Sequence, residues 1–323
     1  MASKNKLSLA IDLGGTSAKM AMIDTEGAIH HRWSLPTDIR DQGRYIVSNL
    51  IQSIHEQLTI LDLDLLDIKG IGMGTPGIVL ADGSVKGAYN LNWATAFPVK
   101  ESFNLSLPLP FYLTNDANAA ALGEQWLGAG AGHQSLVMVT LGTGIGGGIV
   151  SGGRLIEGSW GSAGEIGHLT IDTSRTYRCT CGKYGCLESV ASATGLVNLL
   201  DHYAQESIVS SELLKDYRSG AMIDAKQIIN AAKSGDLLAL QIFDEFSHYL
   251  ALACSHIANI LNPELILIGG GVSMAGEFLI HAIKEKYLNY VYPPIKEQTQ
   301  IALANLGNDA GLIGAAALVI RNN

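Results

Sequence analysis

Between Glu157 and Glu188 the chain gathers most of its cysteine beside one histidine and the two glutamates Glu165 and Glu188. Cys179, Cys181 and Cys186, three of its four cysteines, fall in one short loop, and His168 lies eleven residues upstream of the first. Three thiolates and one imidazole complete a tetrahedral zinc set with no position left for water or substrate, which predicts a structural metal rather than a catalytic one. Gly182 and Gly185 allow tight turns around the ion. Buried structural cysteines are the plainer alternative. A disulfide is disfavoured, because Cys179 and Cys181 are too close to pair and three is an odd count. Zinc on one ring nitrogen of His168 leaves the other to point elsewhere. Glu165 and Glu188 sit at the two ends of the loop. The expectation is that both carboxylates and the free nitrogen converge on one spot, a set suited to the vicinal hydroxyls of a sugar. The competing reading is two solvated surface glutamates.

Asp116 is the second chemical candidate. It follows Phe111–Leu113 and opens an alanine-rich stretch ending near Gly128, so it lies at a strand-to-helix junction. An ordinary N-cap is one reading. A catalytic base is the other, kept ionised by the positive helix end and suited to phosphoryl transfer, where the hydroxyl proton leaves late. Two glycine hairpins supply the phosphate chemistry. Asp12-Leu13-Gly14-Gly15-Thr16, with Lys19, and Leu141-Gly142-Thr143-Gly144-Ile145-Gly146-Gly147-Gly148 each follow an apolar strand. Neither is a Walker loop or a dinucleotide fingerprint, but bare backbone N–H groups and a hydroxyl can hold phosphate. Asp12, a carboxylate ending a buried strand, is expected to hold Mg²⁺ through water. Gly269-Gly270-Gly271 ends another strand and leaves room for a base and ribose.

The elements that must position these groups follow from periodicity. Leu7–Asp12, Ala18–Ile23, Ile68–Met73, Ser135–Thr140 and Leu265–Ile268 read as strands. Tyr45–Leu58, Phe243–Leu261 and Leu312–Ile320 read as helices, the last packing back on the first half. The region 196–242 reads as helical scaffold. Asn90-Leu91-Asn92-Trp93 is either a sugar contact or a plain surface loop. Cys254 reads as core. The repeated grammar of strand, glycine hairpin, strand and glycine turn predicts duplicated lobes, assigned as 1–115 plus 305–323 and 116–304.

Composition excludes other classes. The 323 residues are 47% hydrophobic and 16% charged, with net charge -9. That is an ordered globular chain without the basic footprint of a nucleic-acid binder. No apolar run reaches membrane-spanning length, and Asp12 interrupts the first one too early for a signal peptide. Few cysteines and a thiolate site fit a reducing cytoplasm.

From about Leu7 to Ile320 the chain resembles the ROK family of sugar kinases. The resemblance rests on Asp12–Thr16, on Thr114-Asn115-Asp116-Ala117-Asn118-Ala119-Ala120-Ala121-Leu122-Gly123-Glu124, on Leu141–Gly148, and on Glu165-Ile166-Gly167-His168 with Cys179-Thr180-Cys181-Gly182-Lys183-Tyr184-Gly185-Cys186-Leu187-Glu188. Within the family it is most similar to the glucose-phosphorylating branch of Gram-positive bacteria. The resemblance implies an α/β, two-lobed, actin-like ATPase fold of ribonuclease H type with an inserted zinc loop, and ATP and sugar in its cleft. It implies ATP-dependent phosphorylation of D-glucose at the 6-hydroxyl, with N-acetylmannosamine, fructose, allose or a β-glucoside as alternative substrates. Asp116 would be the base. Gly77, Asn90, Asn115, Glu165, His168 and Glu188 would hold the sugar. Gly14, Gly15, Thr16, Lys19, Thr143, Gly144 and Gly146 would hold the phosphates, Gly269, Gly270 and Gly271 the nucleoside, and Asp12 the Mg²⁺. A homodimer or tetramer is implied as well. The family also contains sugar-sensing repressors, but a DNA-reading helix-turn-helix would have to precede the first hairpin, where six residues stand. One departure shows: Arg175-Thr176-Tyr177-Arg178 lacks the Gly or Pro often found before the first cysteine.

Overall fold

The computed structural model describes residues 6–174 and 176–322. Residues 1–5, where a leader peptide was judged absent, lie outside the described residues, as do Arg175 and Asn323. The elements run β1 (Leu7–Leu13), β2 (Ser17–Ile23), β3 (Ile29–Pro36), the single turn α1 (Arg40–Gly43), α2 (Ile46–Ile60), β4 (Ile68–Thr75), β5 (Ile78–Val79), β6 (Val85–Lys86), α3 (Val99–Ser106), β7 (Phe111–Asn115) and α4 (Asp116–Leu127). They continue with β8 (Leu136–Leu141), β9 (Ile145–Ser151), β10 (Arg154–Leu155), α5 (Glu188–Ala191), α6 (Ala193–Glu206), α7 (Glu212–Arg218), α8 (Ala225–Lys233), α9 (Leu237–Leu261), β11 (Leu265–Gly269), α10 (Glu277–Tyr287), β12 (Gln300–Leu303) and α11 (Ala310–Asn322).

One five-stranded sheet has the order β3-β2-β1-β4-β7 and another the order β10-β9-β8-β11-β12. In the first, β1 pairs antiparallel with β2 and parallel with β4. In the second, β11 is parallel to both β8 and β12. The same strand order in both sheets matches the duplication expected from the hairpins. β1 and β2 read as continuous apolar runs because both faces are covered. Leu9, Ile11, Met20 and Met22 cluster with Leu50 and Ile54 of α2 and Phe103 of α3. Ala10, Ala21 and Ile23 cluster with Leu312, Ala315 and Ala316 of α11. β3 alternates half-buried and exposed residues, as suits an edge strand.

Contacts divide the chain into unit 1, Met1–Gly132 with Gly148–Gly164 and Leu306–Asn323, and unit 2, His133–Gly147 with Glu165–Asn305. The boundaries therefore differ from the expected 115/116 and 304/305 cuts. α4 belongs to unit 1 because it meets α11 at backbone distance. A Cβ on Gly314 would lie 1.6 Å from the Ala119 carbonyl oxygen, and one on Gly123 would lie 2.2 Å from that of Ala310. Glycine at each crossing point lets the two helices touch without side chains between them. Buried Glu124 adds a polar tie, accepting the backbone N–H of Leu306 at 2.8 Å and of Ala129 at 2.9 Å. α11 packs on unit 1, as its apolar periodicity suggested. Cys254 is buried in α9, and burial pushes its thiol up to about 12. Among the described residues no helix is long and apolar enough to cross a membrane.

Candidate active site

Unit 1 carries the first phosphate hairpin and the candidate base. The turn between β1 and β2 closes with the Gly14 N–H on the Ser17 carbonyl at 3.0 Å. Thr37 braces it, its hydroxyl donating to the Gly14 carbonyl at 2.7 Å and its N–H to that of Thr16 at 3.0 Å. Asp12 and Lys19 face each other across the paired strands, Nζ to Oδ2 at 3.7 Å. Burial raises the Asp12 pKa most; Lys19 opposes that rise and the like charge of Asp116 adds to it. A carboxylate near a second acid, at the end of a strand that opens into a glycine turn, has the chemistry to receive a hydrated divalent cation. Gly311 gives it room, since a Cβ there would lie 2.8 Å from the Asp12 carboxyl carbon.

At the β7–α4 junction the helix cap is Asn115, whose side-chain oxygen accepts the Ala117 N–H at 2.9 Å. Asp116 is therefore the first helical residue rather than the cap. Its Oδ1 shares the Ala117 N–H at 2.8 Å. The helix end was expected to dominate its charge state. Instead desolvation by the surrounding protein wins and raises the pKa, although solvent still reaches the residue, with the Ala117 N–H and the Asn115 side chain working against the rise. Asn115 also donates to the Gly77 carbonyl at 3.1 Å. Gly77 cannot be replaced cheaply, because its φ is +91° and a Cβ would lie 2.8 Å from the Lys86 carbonyl. Asn90 sits exposed in a short 3-10 turn, against Gly15 of the hairpin. Trp93, whose segment was left open as a sugar contact, is core: it is buried and donates to the Gly43 carbonyl at 3.2 Å. Local pattern holds no sign of Glu157 as a brace for this junction. Its carboxylate accepts the Thr114 hydroxyl at 2.7 Å, one residue before Asn115.

Unit 2 carries the metal set. His168 Nδ1 and the sulfurs of Cys179, Cys181 and Cys186 all lie within 4.8 Å of one another. A tetrahedral zinc with Zn–S of about 2.3 Å and Zn–N of about 2.0 Å places sulfurs about 3.8 Å apart and nitrogen about 3.6 Å from sulfur. Cys181 Sγ is 3.7 Å from Cys186 Sγ, and Cys179 Sγ is 3.6 Å from His168 Nδ1. The residues present fit the ion. The knuckle is a tight hairpin, with the Cys179 N–H on the Lys183 carbonyl at 2.8 Å. Gly185 has φ +77° and would drive a Cβ to 2.0 Å from the Asp172 carbonyl. Burial, with the nearby Glu188, pushes the Cys179 thiol up; at Cys181 burial is outweighed by the Lys183 N–H and neighbouring thiols, and the pKa falls. No disulfide joins these cysteines.

With Nδ1 committed to the sulfurs, Nε2 of His168 faces Glu165 at 4.0 Å. Glu188, expected to converge on the same spot, lies beside the other ring nitrogen. Its Oε1 takes the Cys179 thiol at 2.9 Å and the Thr180 hydroxyl at 3.1 Å, 3.9 Å from Nδ1. Its Oε2 is turned toward Gly144. The second hairpin is pinned to the start of α6, where the Ala193 N–H bonds the Gly142 carbonyl at 2.9 Å and the Thr194 hydroxyl that of Thr143 at 2.8 Å. Gly146 lies inside β9 rather than in the turn. Gly270, at φ +83°, packs on the Leu141 backbone, whereas Gly271 meets open space. Gly142, Thr143 and Gly271 line a cavity of about 540 Å³ together with Asp224, Asn230 and Met274. The α8 face was read as scaffold, and its apolar periodicity held no signal of this second role.

Against known proteins, a glucokinase of Halalkalibacterium halodurans is 42% identical over 312 residues, covering 96% of this chain and 94% of that one. The crystal structure of a ROK family glucokinase from Streptomyces griseus, in complex with glucose and AMPPNP, superposes with TM-score 0.78 at 31% identity, over 98% of this chain and 100% of that one. A ROK family transcriptional regulator, a homolog of the E. coli MLC protein, gives TM-score 0.86 at 27% identity, with 98% of this chain but 78% of that one covered. The fold is the actin-like ATPase fold of the ROK sugar kinases. The ROK family profile matches residues 8–322, and the chain belongs to the ROK family.

Proposed function

We propose that the protein transfers the γ-phosphoryl group of ATP to the 6-hydroxyl of D-glucose, with Asp116 as the base. The observation that carries this reading is the split use of His168: Nδ1 goes to the thiolate set and Nε2 faces Glu165. A metal knuckle that fixes an imidazole and a carboxylate suits a polyol. The 42% identity to a glucokinase over nearly the whole chain points to glucose. In this reading Glu165, His168, Glu188, Asn90, Asn115 and Gly77 hold the sugar. The amides of Gly14 to Thr16, with Lys19, and of Thr143 to Gly146 hold phosphate, and Gly269 to Gly271 hold the nucleoside. Zinc, when bound, supplies the closure of the knuckle. Mg²⁺, when bound near Asp12, offsets charge on the phosphates. A position in the cytoplasm and assembly as a dimer or tetramer complete the proposal; light scattering reads the assembly.

An ADP-release assay across glucose, N-acetylmannosamine, fructose, allose and a β-glucoside tests it. Glucose is expected to give the highest kcat/KM. Asp116→Asn is expected to lower kcat by about 10²–10⁴-fold, the range for a lost general base, while glucose still binds. Robust turnover by that variant would exclude Asp116 as the base, and preference for another hexose would exclude glucose as the substrate.

A further inference from the structure

Each phosphate hairpin contains one glycine crowded by a side chain that the proposed function assigns to the sugar. In unit 2, a Cβ on Gly144 would lie 2.6 Å from Glu188 Oε2. In unit 1, a Cβ on Gly15 would lie 3.1 Å from Asn90 Cβ, 3.2 Å from its carbonyl oxygen and 3.3 Å from its Nδ2. Neither glycine has positive φ, so backbone conformation does not call for glycine at either place. The crowding is also local. At Gly142, two residues earlier, an added Cβ would meet nothing closer than 3.9 Å.

We infer that Gly15 and Gly144 position the sugar-holding side chains Asn90 and Glu188, so that each phosphate hairpin is also part of the sugar site. This inference rests on the proposed sugar roles of those two residues and adds what holds them in place. The Gly144 contact is the sharper of the two. Its neighbour is the end of a flexible side chain, so an added methyl group displaces the carboxylate and leaves the backbone alone. Oε1 of that carboxylate accepts the Thr180 hydroxyl at 3.1 Å, which leaves Oε2 as the oxygen that must move. Gly144 and Gly15 are thus positioning residues for the sugar, independently of any phosphate they hold.

Calorimetric titration of the zinc-loaded protein with glucose, without nucleotide, tests this. Gly144→Ala is expected to weaken glucose binding about tenfold or more, the scale of one misplaced charged hydrogen bond, with zinc content and melting temperature unchanged. In a Glu188→Ala background, where weak binding is read by carrying glucose to high concentration, adding Gly144→Ala is expected to change affinity by less than about twofold. The Gly15→Ala and Asn90→Ala pair is expected to behave alike with a smaller loss, and supplies an independent arm. Wild-type glucose affinity in Gly144→Ala, beside a weakened Glu188→Ala, would overturn the inference alone. An equal loss in both backgrounds would overturn it too, since Gly144 would then act by another route. Glu188→Ala binding glucose like wild type would instead remove the sugar role of Glu188, and the inference with it.

Discussion

The two units repeat a strand order but hold their working residues by different means. In unit 1 the hairpin carries charge, Asp12 against Lys19, and Asp116 rides on a helix locked by backbone-to-backbone packing at Gly123 and Gly314. In unit 2 the hairpin is neutral and pinned to α6 by backbone and hydroxyl groups. The imidazole and acids there stand on a loop whose sulfurs and nitrogen are spaced for a metal. A duplicated scaffold thus divides the work. Unit 1 positions acid groups by close packing of small residues, which tolerates no added volume. Unit 2 places the imidazole and acids of the proposed sugar site on irregular chain, beside a cysteine and histidine set that could hold an ion. The difference teaches that the two halves should fail differently when perturbed.

Metal removal is the largest expected effect. Structural zinc contributes on the order of 10–16 kcal/mol to small zinc-folded peptides, far more than any single packing contact. Chelation followed by thiol alkylation is expected to abolish hydrogen-exchange protection across 165–188 and to cost most of the glucose affinity. Protection in β1, β4 and α11 of unit 1 should persist. If unit 1 lost protection in step with the knuckle, the two halves would not be held independently and the comparison would break.

Overpacking the helix crossing is the reciprocal test and a smaller one. Gly314→Ala puts a methyl group 1.6 Å from the Ala119 carbonyl oxygen, and forced expansion of a packed contact costs about 1–3 kcal/mol. The melting temperature and kcat are expected to fall, because α4 carries Asp116, while zinc content stays at the wild-type level. A variant that melts like wild type would show that the crossing can relax and does not fix the base.

Legibility in the sequence divides along the same line. The metal set was readable because cysteines are scarce and their spacing is short. The hairpins were readable because strand, glycine and strand are contiguous. Asp116 was readable as a strand-to-helix junction, though not that Asn115 takes the cap. Long-range packing was not readable. α4 joins unit 1 through partners more than half the chain away, Ala310 and Gly314, and local pattern carries no trace of that pairing. β3 was missed because His30, His31 and Arg32 break its apolar run, as an edge strand permits. Trp93 looked like a ligand platform because burial cannot be read from a polar neighbourhood. The orientation of Glu188 depends on the Thr180 hydroxyl, which only folding brings to it.

The smallest expected effect concerns the cost of the base itself. Burial raises the Asp116 pKa above its ordinary value of 3.8. Between the unfolded and folded pKa values the folded state binds more protons, so stability from this group falls as pH rises through that window. Above the folded pKa the penalty is complete; below the unfolded pKa it is absent. Asp116→Asn removes the charge but keeps an oxygen to accept the Ala117 N–H. It is therefore expected to melt slightly higher than wild type at neutral pH. The gain should shrink as pH falls through the raised pKa and vanish below the usual Asp range. Solvent reaches this residue, and screening keeps the effect modest. The acid limb of kcat/KM should fall in the same window, because the base works only when ionised. Thermal melts of both proteins across pH 3 to 8 check the sign. A variant less stable than wild type at neutral pH would mean that the helix end, not burial, governs Asp116. Unit 1 would then carry Asp116 at no cost to folding.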